Sequence, residues 1–180
     1  MRIVPRRRLR RLTMTAAAAA VMAVLAPWGV AIGPIPITLC TLLIYMMPFV
    51  LGPKDSTAAV LVYVCMGVAG LPVFSGFTGG AACLAGPTGG FLLGYPVMAL
   101  LCTRFAHRGR AAALGGMCLA TAVLYALGTL WYCVQTGVGL WAGAAVCVLP
   151  CLPGDVFKMA AAAAVGPVLQ ERLTRAGLRI

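Results

Sequence analysis

The stretch LTMTAAAAAVMAVLAPWGVAI, residues 12–32, contains 21 residues and no charged side chain. A helix of about 20 apolar residues crosses the hydrocarbon core of a bilayer. Over the whole chain of 180 residues, 62% are apolar and 9% are charged, whereas soluble domains contain roughly 45–50% apolar and 25% charged residues. A soluble fold could not cover this much apolar surface. The sequence therefore predicts an all-α integral membrane protein that crosses the cell membrane several times.

Four further apolar runs, 37–51, 56–71, 89–106 and 111–134, predict four more spans. The remainder, 137–173, can be divided into two spans or one. Its first part, 138–149, is only 12 residues long, about 18 Å as a helix, which is too short for a hydrocarbon core of about 30 Å. We therefore expect a re-entrant or interfacial segment at 138–150 on the outer side and a sixth span at 155–173. The arginine-rich start also resembles a signal peptide, but the length of the first run favours a retained span.

The positive charges separate cleanly when six helices are assumed. The tail 1–11, the loop containing Lys54, the break 104–110 and the C-terminal tail together hold 13 of the 14 Lys and Arg residues. The outer breaks, around Pro34 and at 72–88 and 135–139, hold none. Because cytoplasmic loops are enriched in Lys and Arg, both termini are predicted to be cytoplasmic. This distribution follows the bilayer and gives no basic face for a nucleic-acid partner.

Catalytic and metal-binding patterns are nearly absent. The only histidine, His107, stands among arginines, the eight cysteines form no CxxC pair, and no lysine follows the glycine-rich segment 86–90 as a P-loop requires. We therefore expect no enzymatic activity, no metal and no cofactor. The charge-free outer loop 72–88 is long and rich in glycine, which is typical of a lid over a binding site.

The most informative polar residues are Asp155 and Lys158, because charges at membrane depth are rare and usually functional. Their spacing of three puts both on one face of a helix. Asp155 could be a helix cap or a ligand-binding group. Lys158 favours the second, since a cation near a helix N-terminus opposes the helix dipole.

The first predicted helix carries a stripe of small residues, Ala16, Ala19, Ala20 and Ala23. Stripes of this kind let helices approach closely in lipid. The stripe could pack against the other five helices or dock onto another membrane subunit, and the residues alone leave both interpretations open.

Four segments occur in an order that resembles a known family: PITLCTL at 36–42, GLPVF at 70–74, GPTGGFLLGY at 86–95 and PCLPGDVFK at 150–158. They are similar to the BioY family, the biotin-specific S components of energy-coupling-factor (ECF) vitamin transporters. The resemblance covers about residues 15–173. It implies the S-component fold and capture of biotin from outside. Delivery inward would involve an ECF transmembrane coupling subunit and two ATPase subunits.

The resemblance also implies roles for single residues. Asp155 and Lys158 correspond to the acid and lysine that contact biotin in the family, and the alanines of the first helix correspond to the contact with the coupling subunit. The rest of the predicted substrate-binding set comprises Thr38, Phe74, Gly79, Gly80, Phe91 and Tyr95. Two alternatives are an S component for a different small vitamin and a membrane scaffold protein in which Asp155 and Lys158 form a structural pair.

The orientation can be tested with reporters fused after residue 180. We expect green fluorescent protein to be fluorescent at this position and alkaline phosphatase to be inactive, because the positive-inside bias places the C-terminus in the cytoplasm. Active phosphatase would place Asp155 and Lys158 at the cytoplasmic end and contradict capture from outside.

Overall fold

The structure, a computed structural model, describes residues 6–31, 35–106 and 108–176. The predictions that involve Pro34, His107 and the ends of the two tails lie outside these residues. The described helices are α1 (Arg6–Leu25), α2 (Cys40–Met46), α3 (Pro53–Val68), α4 (Ala82–Ala85), α5 (Gly89–Ala106), α6 (Arg110–Thr136), α7 (Leu140–Val148) and α8 (Leu152–Arg175). Short 3-10 turns occupy Met47–Phe49 and Ser75–Phe77, and two strands, β1 (Gly29–Ala31) and β2 (Pro36–Thr38), pair antiparallel.

The helices agree with a polytopic, mostly helical membrane fold, to which the predicted all-α class did not add the strand pair β1 and β2. Among the described residues, three helices are long and apolar enough to cross a bilayer, namely α5, α6 from Ala111 and α8. The second predicted span is a shorter apolar helix that continues from α2 through the 3-10 turn to Phe49. Each of the six predicted spans corresponds to a helix of the structure, which is consistent with six spans.

The first predicted span is wrong at its outer end. We expected a helix over 12–32, but α1 ends at Leu25 and the chain then forms β1, which pairs with β2. Pro27 lies two residues beyond the end of the helix, and proline cannot donate a helical hydrogen bond. Hydropathy does not distinguish an apolar strand from an apolar helix, so Pro27 was the available sign of the change.

The start of α1 is tied to the start of α3 by a two-pronged ion pair. The Nε and Nη2 atoms of Arg11 donate to the two carboxylate oxygens of Asp55 at 3.0 and 2.9 Å. Arg11 and the first turn of α3, which contains Lys54, therefore lie at the same end of the bundle, as the charge pattern predicts.

The pair α5 and α6 forms the most extensive helix contact of the molecule, and small residues make it possible. A Cβ atom on Gly90 would lie 2.3 Å from the Cβ of Trp131, and one on Gly128 would lie 2.4 Å from the ring of Phe91. Because both positions lack a side chain, the two helices approach closely. Gly89, the first residue of α5, is also the first residue of the predicted span, and both end at Ala106.

The segment predicted to be re-entrant or interfacial contains α7, a helix of nine residues. At 1.5 Å per residue it is about 14 Å long, too short to cross a bilayer. It packs against α6, and Trp141 at its start is 92% exposed. Its placement in an outer interface stays a prediction.

The loop 72–88 is held against the ends of two helices. Gly80 N–H donates to the carbonyl of Gly67 at 2.7 Å, and Gly76 N–H donates to the carbonyl of Pro27 at 3.0 Å. Trp28 meets Phe77 edge-to-face with ring centroids 5.5 Å apart. These contacts join the loop to the turn after α1. Whether the loop moves as a lid stays a prediction.

Candidate functional site

A cavity of about 200 Å³ lies beneath the loop 72–88, next to the start of α8. Its wall combines residues of β2, α2, α3, α5, α6 and α8 with residues of the loop. Six of the eight predicted substrate-binding residues line it: Thr38, Phe74, Phe91, Tyr95, Asp155 and Lys158. Helices that are distant in sequence therefore bring most of the predicted set together.

Asp155 and Lys158 form a buried ion pair in the wall of this cavity. They lie in the first two turns of α8, and Lys158 Nζ is 3.0 Å from Asp155 Oδ1. The two residues are 4% and 9% exposed. The spacing of three residues along the helix gives this contact directly.

Thr41, on α2, completes a triangle with this pair. Its hydroxyl donates to Asp155 Oδ1 at 2.9 Å and accepts a hydrogen bond from Lys158 Nζ at 2.9 Å. The sequence placed Thr41 within the motif PITLCTL but predicted no role for it. An uncharged threonine in an apolar run carries no signal that separates it from packing residues.

Tyr125, on α6, binds the other oxygen of the same carboxylate. Its hydroxyl donates to Asp155 Oδ2 at 2.6 Å, a short distance that is typical of a hydroxyl bound to an ionised carboxylate. The sequence did not single out this tyrosine. The only available signal was a hydroxyl in the middle of a long apolar helix, which needs a partner when it is buried.

The side chain of Asp155 is not a helix cap. The N-cap position of α8 is Cys151, and no side-chain cap hydrogen bond forms there. Both carboxylate oxygens of Asp155 instead accept from side chains, on α2, α6 and α8. Of the two roles left open by the sequence, the structure excludes the cap.

Aromatic rings form much of the remaining wall. Phe74 sits on Gly67, where a Cβ atom would lie 2.1 Å from the ring, and it meets Tyr63 edge-to-face at 5.8 Å. Tyr63 also donates from its hydroxyl to the carbonyl of Val73 at 3.2 Å, so the loop and α3 fix each other. Phe91 is held in the same way against Gly128 on α6.

This arrangement suits a small polar molecule with an apolar body. Lys158 has three N–H donors, of which two are directed to Thr41 and Asp155. The third N–H of Lys158 and the remaining lone pair on Asp155 Oδ2 offer a donor and an acceptor on neighbouring groups. The flat faces of the aromatic residues can cover an apolar ring system.

Comparison with known proteins agrees with this chemistry. The profile of the BioY family matches residues 2–175. The chain belongs to the BioY family. A probable biotin transporter of this family from Pyrococcus horikoshii is 32% identical over 161 residues, which cover 89% of this chain and 96% of the relative. A biotin transporter from Rhizobium etli is 35% identical over 175 residues, covering 87% and 91% of the two chains.

A solved structure has the same fold. It is described as the S-component for biotin from an ECF-type ABC transporter and matches with a TM-score of 0.85 at 26% sequence identity. The match covers 94% of this chain and 95% of that chain. The S-component fold expected from the sequence motifs is therefore confirmed.

Two members of the predicted binding set do not reach the cavity. A Cβ atom on Gly79 would lie 2.2 Å from the carbonyl oxygen of Leu71. The N–H of Gly80 donates to the carbonyl of Gly67. Neither lines the cavity, so the structure does not bring them to the other six predicted residues, and their role toward a ligand stays a prediction. Their small size serves the attachment of the loop to the end of α3. Glycine content alone could not separate these two functions.

The alanines predicted to contact a partner do not share one face. Ala16 and Ala20 are exposed, Ala23 is half-buried and Ala19 is 2% exposed. The helical period places residues 16 and 20 together and turns residue 19 toward the bundle. Ala19 therefore packs inside the protein, so the outward part of the stripe in this BioY family member is Ala16 and Ala20.

Cysteines contribute to the site as small packing residues. Cys40 and Cys151 are buried and line the cavity, and the cysteines are all free. Among the described residues, no group of three or more His, Cys, Asp or Glu side chains could hold a metal ion.

The ion pair can be tested through stability in detergent. Replacing Asp155 or Lys158 singly with an apolar residue of similar length, Asp155→Leu or Lys158→Met, leaves one buried charge without its partner. We expect each to destabilise the protein by about 3–5 kcal/mol and to lower the apparent Tm measured by thermal-shift size exclusion. The double variant should recover most of that loss because no charge remains unpaired.

The exposed pair formed by Arg175 and Glu171 on the same helix provides the control, with side chains 78% and 62% exposed. Glu171→Ala should leave the apparent Tm unchanged. A double variant that is as unstable as the sum of the single variants would contradict the coupling of Asp155 with Lys158.

Proposed function

We propose that this chain is the biotin-capturing membrane subunit of a biotin uptake system. It binds biotin in the cavity from the outer side and delivers it inward together with an ATP-driven ECF module. Relatives named as biotin transporters support the ligand, and the solved biotin S-component of the same fold supports the type of transporter. The observation that carries the proposal is the buried Asp155–Thr41–Lys158 cluster in the wall of the cavity.

The polar groups of biotin match this cluster. The ureido ring carries two N–H donors and a carbonyl acceptor, and the valerate chain ends in a carboxylate. Asp155 can accept N–H groups, and the free N–H of Lys158 can donate to a carbonyl or a carboxylate. Phe74 and Phe91 supply apolar contact for the fused rings. Either polar end of biotin can therefore engage the pair.

The family is one of transporter components, which agrees with the expectation that the chain is not an enzyme. Binding and release move the ligand without bond chemistry, so the energy for uptake comes from outside this chain. Its place is in the cell membrane as a multi-pass protein.

The energy source in this proposal is an ECF coupling subunit bound to two ATPases. The exposed residues Ala16 and Ala20 on α1 offer a surface of small side chains against which a coupling helix can pack closely. Thr13 is exposed one turn before them and extends this surface of small side chains toward the basic start of the helix.

Binding of radiolabelled biotin to the purified protein tests the ligand. We expect saturable binding by the wild type and a loss of more than about 100-fold in affinity for Asp155→Ala and Lys158→Ala, since each leaves a buried charge unpaired and removes a ligand contact. Glu171→Ala should bind normally.

Unlabelled biotin should compete, whereas unlabelled thiamine and riboflavin should not. Absence of binding by a folded wild-type protein would exclude biotin as the ligand. Competition by another vitamin would favour an S component of different specificity. If both alanine variants bind biotin normally, the proposed function stands, but Asp155 and Lys158 are not its binding residues.

The partner surface can be tested by adding bulk on the outward face of α1. Ala20→Trp should prevent copurification of a coexpressed coupling subunit, because the large ring separates the helices, while biotin binding stays unchanged. Val24→Trp, one turn further along the exposed face, shows how far the surface extends, and Val168→Trp on α8 is the matched control. Normal copurification by Ala20→Trp would place the coupling surface elsewhere.

A further inference from the structure

The cavity lies where two groups of helices meet. α6 packs mainly against α5 and α7, and α8 packs mainly against α2. Direct packing between α6 and α8 is slight. A side-chain hydrogen bond from Tyr125 to Asp155 joins these two helices.

The two oxygens of Asp155 differ in their partners. Oδ1 accepts from Thr41 and Lys158, on α2 and α8, whereas Oδ2 accepts from Tyr125 on α6. The terminal torsion of an aspartate has a broad energy profile. The two donors on Oδ1 restrain rotation about the Cβ–Cγ bond from one end of the carboxylate only. The third donor, on the second oxygen, fixes the plane.

We propose that Tyr125 is a positioning residue for ligand binding and acts by setting the plane of the Asp155 carboxylate. This inference rests on the proposed biotin-binding function and adds the group that orients its principal acceptor. The two donors on Oδ1 occupy both of its lone pairs, so the lone pair that remains on Oδ2 keeps a fixed direction. A ligand N–H then meets an acceptor that is already aligned, so less ordering opposes binding.

The ring of Tyr125 has a separate role that the test must exclude. Tyr125 is half-buried and lies against the core, so its removal would disturb packing. Tyr125→Phe keeps the ring and removes only the hydroxyl. Tyr132, two turns further along α6, provides a matched control. It is a buried tyrosine, 9% exposed, and it does not line the cavity.

Radiolabelled biotin binding is measured for the wild type, Tyr125→Phe, Asp155→Asn, the corresponding double variant and Tyr132→Phe. We expect Tyr125→Phe to weaken affinity about tenfold, because a hydrogen bond to a charged group is lost. In the Asp155→Asn background the same change should weaken affinity by less than about threefold, since the acceptor there is neutral. Tyr132→Phe should bind like the wild type.

A purely structural role gives equal fold-changes in both backgrounds and would overturn the inference, as would wild-type affinity in Tyr125→Phe. If wild-type protein does not bind biotin, the proposed function fails, and the ligand-free apparent Tm then decides the inference. Tyr125→Phe should lower it in the wild type but not in Asp155→Ala, where no acceptor remains. Equal losses in both backgrounds would show that the hydroxyl does not act through Asp155.

Discussion

A carboxylate and an ammonium group that face each other inside a membrane protein need further hydrogen bonds, because pairing alone does not compensate for the loss of water. The pair of Asp155 and Lys158 obtains them from Thr41 on α2 and Tyr125 on α6. This requirement brings three helices together at one depth. The position of α8 against α2 and α6 at the outer end of the bundle therefore depends on satisfying two buried charges.

Close packing elsewhere provides the space and the walls around that cluster. Gly67 admits the ring of Phe74, and Gly128 admits the ring of Phe91. Because each glycine has no side chain, the tip of the aromatic ring fits against the helix. Both aromatic residues also line the cavity. The same two residues and the ion pair line one cavity, so the aromatic wall and the charged cluster face a shared space.

Hydropathy and charge predicted the helices well where polar residues mark both ends of an apolar run. The span of α5 was predicted in full because a glycine-rich turn precedes it and a basic break follows. The first span was wrong beyond Leu25, because apolar strand and apolar helix look alike. Asp155 and Lys158 were predicted because charges in apolar runs are conspicuous, whereas Thr41 and Tyr125 depend on helix rotation, which a single sequence specifies poorly. Gly79 and Gly80 were predicted to contact the ligand from the glycine content of the loop, and the contacts that the structure gives them attach the loop to the end of α3.

The opposite charges of Asp155 and Lys158 cancel, and this affects which molecules the cavity can bind. Lys158 and Asp155 lie 3.0 Å apart, so the site as a whole attracts neither anions nor cations strongly. Asp155 and Lys158 therefore pair with each other when the site holds no ligand. In the proposed function, a ligand gives up hydrogen bonds to water in exchange for bonds to Lys158 and Asp155, so these polar contacts contribute little net affinity. They reject molecules that cannot match them, and the apolar contact with the aromatic wall then supplies most of the binding energy.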